Sequence, residues 1–154
     1  PLSKLKRLAI LFDANDNQDL VSVKSLLKYF LDKNIDVSIL GFVDKKEMDV
    51  VHLSTLYINY FNLKDTNFFG VPNSKKTQLF LSQEYDMLIN LSLNNSFPTK
   101  YLSLKSKSKF KVGVFSANNN LNYDLMFKLK VQSLDYFIEH LIYYLELIDK
   151  NNEK

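Results

Sequence analysis

The sequence predicts a three-layer α/β sandwich around a mainly parallel, Rossmann-like sheet of five or six strands, in a single domain over residues 1–154. Three observations predict it. Short, continuous apolar runs such as LAILF, VSILGFV and YDMLINL are the mark of strands covered on both faces. Between them lie stretches whose apolar residues recur every three or four positions, the mark of helices with one buried face. Strand and helix signals then alternate along the chain, the pattern of layered α/β proteins.

Leu8 to Phe12 is the first strand, ending at Asp13. Asn15, Asp16 and Asn17 offer helix caps, and Asp19 suits the positive end of a helix dipole. Leu20, Val23, Leu27, Phe30 and Leu31 line one face of the helix that follows, with Lys33 and Asn34 as its stop. Val37 to Val43 makes the second strand and completes a right-handed βαβ unit. Asp44 to Asp49 is charged and reads as a loop. Leu56 to Phe61 is a third strand whose short link leaves an antiparallel edge position open. Gly70, Pro72 and Asn73 punctuate the chain, and Ser74 caps a brief helix carrying Leu79, Phe80 and Leu81. Met87 to Leu91 is the next strand, running into the polar loop of Ser92, Asn94, Asn95 and Ser96. A helix opens at Pro98, where a missing N–H is harmless. Phe110 to Phe115 is a strand, Asn118 to Asn120 a turn-rich loop, and Leu125 to Val131 alternates as a strand with one wet face. Ser133 caps the last helix, whose stripe runs Leu134, Phe137, Ile138, Leu141, Ile142, Leu145 and Ile148.

Composition narrows the function. The 46% hydrophobic and 24% charged content is that of an ordinary globular domain, and no window approaches the roughly 20 apolar residues of a membrane span. With no cysteine, disulfides, thiol catalysis and thiolate metal sites are excluded, and the cytoplasm is the expected compartment. The chain opens at Pro1 and not at methionine, which leaves a leader upstream open. A net charge of +3 permits an acidic partner without requiring one. Arg7 is the sole arginine, which argues against sequence-specific DNA reading.

ILFD at 10–13, GFVDKK at 41–46, YDMLINLS at 85–92, SKSKFKVG at 106–113 and YDLM at 123–126 together resemble a small, uncharacterised family of Bacteroidetes proteins. That resemblance implies an α/β domain in a bacterial cytoplasm and supplies no activity. Locally, Tyr85 to Gly113, a strand containing D-x-L-I-N-L, a short helix and a strand reading F-K-V-G, is similar to part of the N-terminal domain of lipopolysaccharide heptosyltransferases. This implies shared architecture, which by itself does not carry function.

Known motifs are largely absent. The three glycines, Gly41, Gly70 and Gly113, leave none for a phosphate-cradling turn after the first strand, so neither dinucleotide nor P-loop patterns occur. Asp13, Asn15, Asn17 and Asp19 match positions 1, 3, 5 and 7 of a calcium loop, but Gln18 replaces the turn glycine and Lys24 the bidentate glutamate. Asp13 at a strand end invites comparison with phosphatase nucleophiles, yet Asn15 stands where a second acid is wanted; helix capping is the plainer expectation. His52 and His140 have no local second histidine, and Ser92 lies in no nucleophile elbow. No catalytic residue, metal site or cofactor is expected.

Three sets of residues remain. Asp13, Asn15, Ser92, Asn94 and Asn95, at strand ends, would hold a small ligand or nucleotide in a degenerate enzyme. Lys100, Lys105, Lys107, Lys109 and Lys111, with Lys128 and Lys130 alongside, would track RNA phosphates, or serve only to solubilise and guard an edge strand. Tyr136, His140, Tyr143 and Leu147 form a second stripe on the last helix, suited to homodimerisation or a protein partner. The leading expectation is a non-enzymatic interaction module associated with RNA, the ribosome or a larger assembly; the rival is the ligand-binding domain. A deep cleft at the strand ends favours the rival, and a filled crevice beside exposed aromatics favours the module.

Overall fold

A computed structural model describes residues 2–94, 96–117 and 123–152. Six strands form one sheet: β1 (Arg7–Asp13), β2 (Asp36–Val43), β3 (Ile58–Asn62), β4 (Glu84–Asn90), β5 (Lys107–Val114) and β6 (Leu125–Phe127). Their order is β3-β2-β1-β4-β5-β6, and every neighbouring pair is parallel. This is the order of doubly wound sheets, with the direction of winding reversing between β1 and β4. Four helices cover the sheet: α1 (Asn17–Leu31), α2 (Lys75–Ser82), α3 (Phe97–Lys105) and α4 (Leu134–Asn152). No helix among the described residues is long and apolar enough to cross a membrane.

Alternation along each strand divides the core in two. Leu8, Ile10 and Phe12 of β1 point toward α1 and α4, where they meet Val23, Leu26, Phe30, Phe137 and Leu141. Ala9 and Leu11 point the other way, toward Phe80 of α2 and Leu102 of α3. Local signals set the helix limits. The Asp16 carboxylate accepts the Gln18 N–H at 2.8 Å and so caps α1. At the other end Asn34 takes a left-handed φ of 58° while the Ile35 N–H closes onto the Phe30 carbonyl at 3.2 Å, a common helix stop. Ser74 caps α2, and α3 begins one residue before Pro98.

Two expectations are corrected. The third strand is not antiparallel: Ile39 pairs with Ile58 and Val43 with Asn62 in parallel register. Its crossover, residues 44–57, holds only a 3-10 turn at Val50–His52. Extended chain covers roughly 3.3 Å per residue, so this stretch returns along the sheet without a helix. It does so on the α1 side, where Met48 and Tyr57 join the core. The sixth strand stops at Phe127 instead of reaching Val131, because only Val112–Val114 of β5 are available to pair with it.

Candidate functional site

The winding reversal places the carboxyl ends of β1 and β4 side by side, the usual ligand crevice of such sheets. Asp13 ends β1 and Ser92 follows β4, joined directly, the Ser92 hydroxyl donating to Asp13 Oδ2. The other carboxylate oxygen accepts the Ser96 hydroxyl at 2.7 Å, and Ser96 in turn lies 2.7 Å from the Thr99 hydroxyl in the first turn of α3. The Ser92 N–H donates to Asn90 Oδ1 at 3.0 Å, and Asn90 Nδ2 donates to the Tyr123 hydroxyl at 2.9 Å. Tyr123 reaches this position because its ring lies flat over Gly113, where a methyl group would meet it at 2.6 Å. Burial raises the Tyr123 phenol above its ordinary pKa.

This network locks the crevice from within. Both Asp13 oxygens are taken up by internal hydroxyls. The space left beside them, bounded by Phe12, Leu91, Leu93, Asn94 and Leu134, is about 50 Å³, far below the 300 Å³ or more that ligand pockets occupy. A shallower hollow of about 400 Å³ adjoins it between the starts of α1 and α4, lined by Asp16, Asp19, Asp135 and Asn94. Burial, then Asp16, Asp13 and Asp135, push the Asp19 carboxyl up. Such an acidic rim opposes the anion-attracting dipoles of both helices. Among the described residues, no group of three His, Cys, Asp or Glu side chains could hold a metal.

The predicted ligand set is thus only partly assembled. Asp13 and Ser92 meet. Asn15 turns away to accept the Asp44 N–H at 2.9 Å, tying the β1–α1 loop to the end of β2. Asn94 lines both hollows, and Asn95 lies outside the described residues, as does the predicted Asn118–Asn120 turn. Capping belongs to Asp16 and not to Asp13. His52 pins the helix-free crossover: its Nδ1 accepts the Asp49 N–H at 3.3 Å, so Nε2 carries the proton donated to the Ala14 carbonyl at 2.9 Å. Asn90, Thr99 and Tyr123 were not foreseen; a polar residue closing an apolar strand, Asn90, is the signal that could have found them.

Of the lysine cluster, Lys100 and Lys105 stand on α3 and Lys111 reaches back to it. Lys111 Nζ donates to the Leu104 carbonyl of α3 at 3.1 Å and Lys109 pairs with Asp86 at 3.0 Å; burial also pushes the Lys111 ammonium pKa down. Lys105 and Lys107 are exposed and Lys100 partly so. β6 covers only the end of β5, so Lys107 and Lys109 flank a bare strand edge, as guarding lysines do. Residues 66–117 carry seven lysines against Glu84 and Asp86, leaving −2 for the rest of a chain of net +3.

On α4, Tyr136 and His140 stack on one another with ring centroids 4.0 Å apart. Tyr143 and Leu147 stand exposed beside them. Larger exposed apolar groups lie elsewhere, at Phe68, Phe69 and Phe97, none of which the sequence reading singles out.

Comparison with protein families matches residues 1–148 to a model described as a family of unknown function, DUF6913. Neither curated proteins nor solved structures give a significant match.

Proposed function

The chain belongs to the DUF6913 family of unknown function, and from the geometry we propose that it is a non-enzymatic interaction module whose α2/α3 side docks an acidic partner, RNA foremost. The observation that carries this reading is the filled switch point. A nucleotide-binding domain keeps the crevice beyond its central strands open, whereas here Asp13, Ser92 and Ser96 bond to one another between β1 and β4 and leave about 50 Å³. The larger hollows on either side, about 400 and 380 Å³, are open and rimmed by Asp16, Asp19 and Asp135 or by Asp16 and Asp49. The charge supports the second half, since the exposed lysines of α2, α3 and the start of β5 outnumber the carboxylates near them, Glu84 and Asp86, and are complementary to polyanions. The absence of cysteine is in keeping with a cytoplasmic setting.

Thermal denaturation with 1 mM ATP, GTP, NAD and FAD tests the reading. We expect the midpoint to stay within about 1 °C. A ligand present at 100 times its Kd would add about 2.7 kcal/mol, several degrees for a domain of this size. A shift of that kind, lost in Asp13→Ala, would instead establish the ligand-binding domain.

A further inference from the structure

The most exposed aromatic rings sit on this same basic layer. Phe68 is 97% exposed and Phe69 80%, yet the turn that displays them is rigidly built. The Asn67 side-chain oxygen accepts the N–H groups of Phe69 at 2.9 Å and Val71 at 3.1 Å. The Asn67 N–H reaches the Val71 carbonyl at 2.9 Å, the Gly70 N–H returns to the Asn67 carbonyl at 2.9 Å, and Gly70 takes a φ of 76° that suits glycine. A methyl group on Gly70 would lie 3.8 Å from the Phe97 ring, so the tip stands against the start of α3. From there the outer stripe of α3 continues through Phe97, Tyr101 and Leu104, at i, i+4 and i+7, with Lys100 and Lys105 on its flanks and Lys107 just beyond.

We propose that this surface binds single-stranded RNA, with Phe68, Phe69, Phe97 and Tyr101 stacking on unpaired bases and Lys75, Lys100, Lys105 and Lys107 meeting the phosphates. The assignment rests on the interaction-module reading above and gives its partner a structure. Ring faces, not aliphatic bulk, dominate the stripe: Phe68 and Phe69 stand edge to face at 86°, and Phe97 and Tyr101 are tilted by 42°. Every base offers a π-face to such rings, but only where it is not already paired and stacked in a helix. Lys75 stands near the tip at the start of α2, and the other three cations run along α3 to β5, away from the Phe68–Phe69 tip, and so follow a strand-like ligand instead of ringing a membrane insertion point. Lysine supplies point charges without base reading, which predicts little sequence preference. Lys109 and Lys111 are left out because Asp86 and the Leu104 carbonyl already hold them.

Fluorescence anisotropy with a labelled U12 RNA tests the assignment on the intact chain. Four phosphate contacts on a single strand give a log–log salt slope of about −2.8, roughly a 50-fold loss of affinity between 50 and 200 mM salt. Phe68→Ala/Phe69→Ala should weaken binding about tenfold or more, and Lys100→Glu/Lys105→Glu/Lys107→Glu should abolish it, both with unchanged melting because the altered side chains are wholly or partly exposed. Equal affinity for a 12-base-pair RNA duplex, or loss with the lysine variant but not with the phenylalanine variant, would overturn base stacking while leaving an acidic partner in place. No binding to U12, or binding only to vesicles of phosphatidylcholine and phosphatidylserine at 3:1, would overturn the RNA assignment. Neither result touches the nucleotide experiment above, so the two readings fail separately.

Discussion

The two sides of the sheet are covered by the same chain to very different depths. On one side α1 and α4, the two longest helices, close over a core that takes in Phe12, Phe30, Phe137 and Leu141, all at or near zero exposure. On the other, α2 and α3 span 8 and 9 residues and close over a smaller core that takes in Leu11, Phe42, Phe61, Phe80, Leu88 and Leu102. The thinly covered side is also the one that collects lysines and leaves phenylalanine in solvent. The larger core lies on the α1/α4 side, while the outer faces of α2 and α3 carry residues that a core would not tolerate.

One substitution made on both sides gives the widest contrast. Phe137→Ala removes a fully buried ring and should cost about 3–5 kcal/mol in urea denaturation, whereas Phe68→Ala should change stability by no more than about 0.5 kcal/mol. A large loss at Phe68 would show that the exposed tip is structural after all. Gly113→Ala probes the thin side from within. Its methyl group would drive the Tyr123 ring off β5 and break the Asn90–Tyr123 bond, for an expected loss of about 1–3 kcal/mol; an unchanged midpoint would mean that the ring relocates freely and contributes little to the lock.

The smallest effect appears only in acid. Asp86 joins the N-terminal ends of three strands: the Lys109 ammonium and the N–H groups of Arg7 and Lys6, each at 3.0 Å, hold its carboxyl down to about 2. A depressed carboxyl contributes stability that is fully present above its unfolded pKa of about 4 and disappears as pH falls toward 2. Melting between pH 5 and pH 2 should therefore fall less steeply in Asp86→Asn than in the unaltered chain. Parallel curves would assign the acid limb to other carboxylates.

Much of this was readable in the sequence because it depends on local pattern. The apolar runs of β1, β2 and β4 and the stripes of α1 and α4 show in windows of a dozen residues or fewer, and Asp16 and Ser74 cap where turn chemistry places them. The direction of β3 was not readable, since its link, too short for a helical crossover, returns as extended chain held by His52. The Asp13 lock joins residues 79 and 83 positions apart, and Tyr123 reaches Asn90 only because Gly113 lies between them in space. The Phe68–Phe69 tip had a signal that went unused. Asn67 and Gly70 mark a tight turn, and two large apolar side chains within a turn have no core to enter.

The position of β1 also bears on how the chain comes to be folded during synthesis. It is made before the other five strands of the sheet, yet it lies in the middle, and one of its edges stays bare until Met87 to Asn90 arrive to pair with Leu8 to Leu11. A nascent chain that has completed only β1, α1, β2 and β3 therefore presents one unpaired edge of β1 along the apolar run Leu8 to Phe12, the kind of edge that recruits other chains. Releasing truncated chains of increasing length and scoring their solubility would show a step where β4 becomes available.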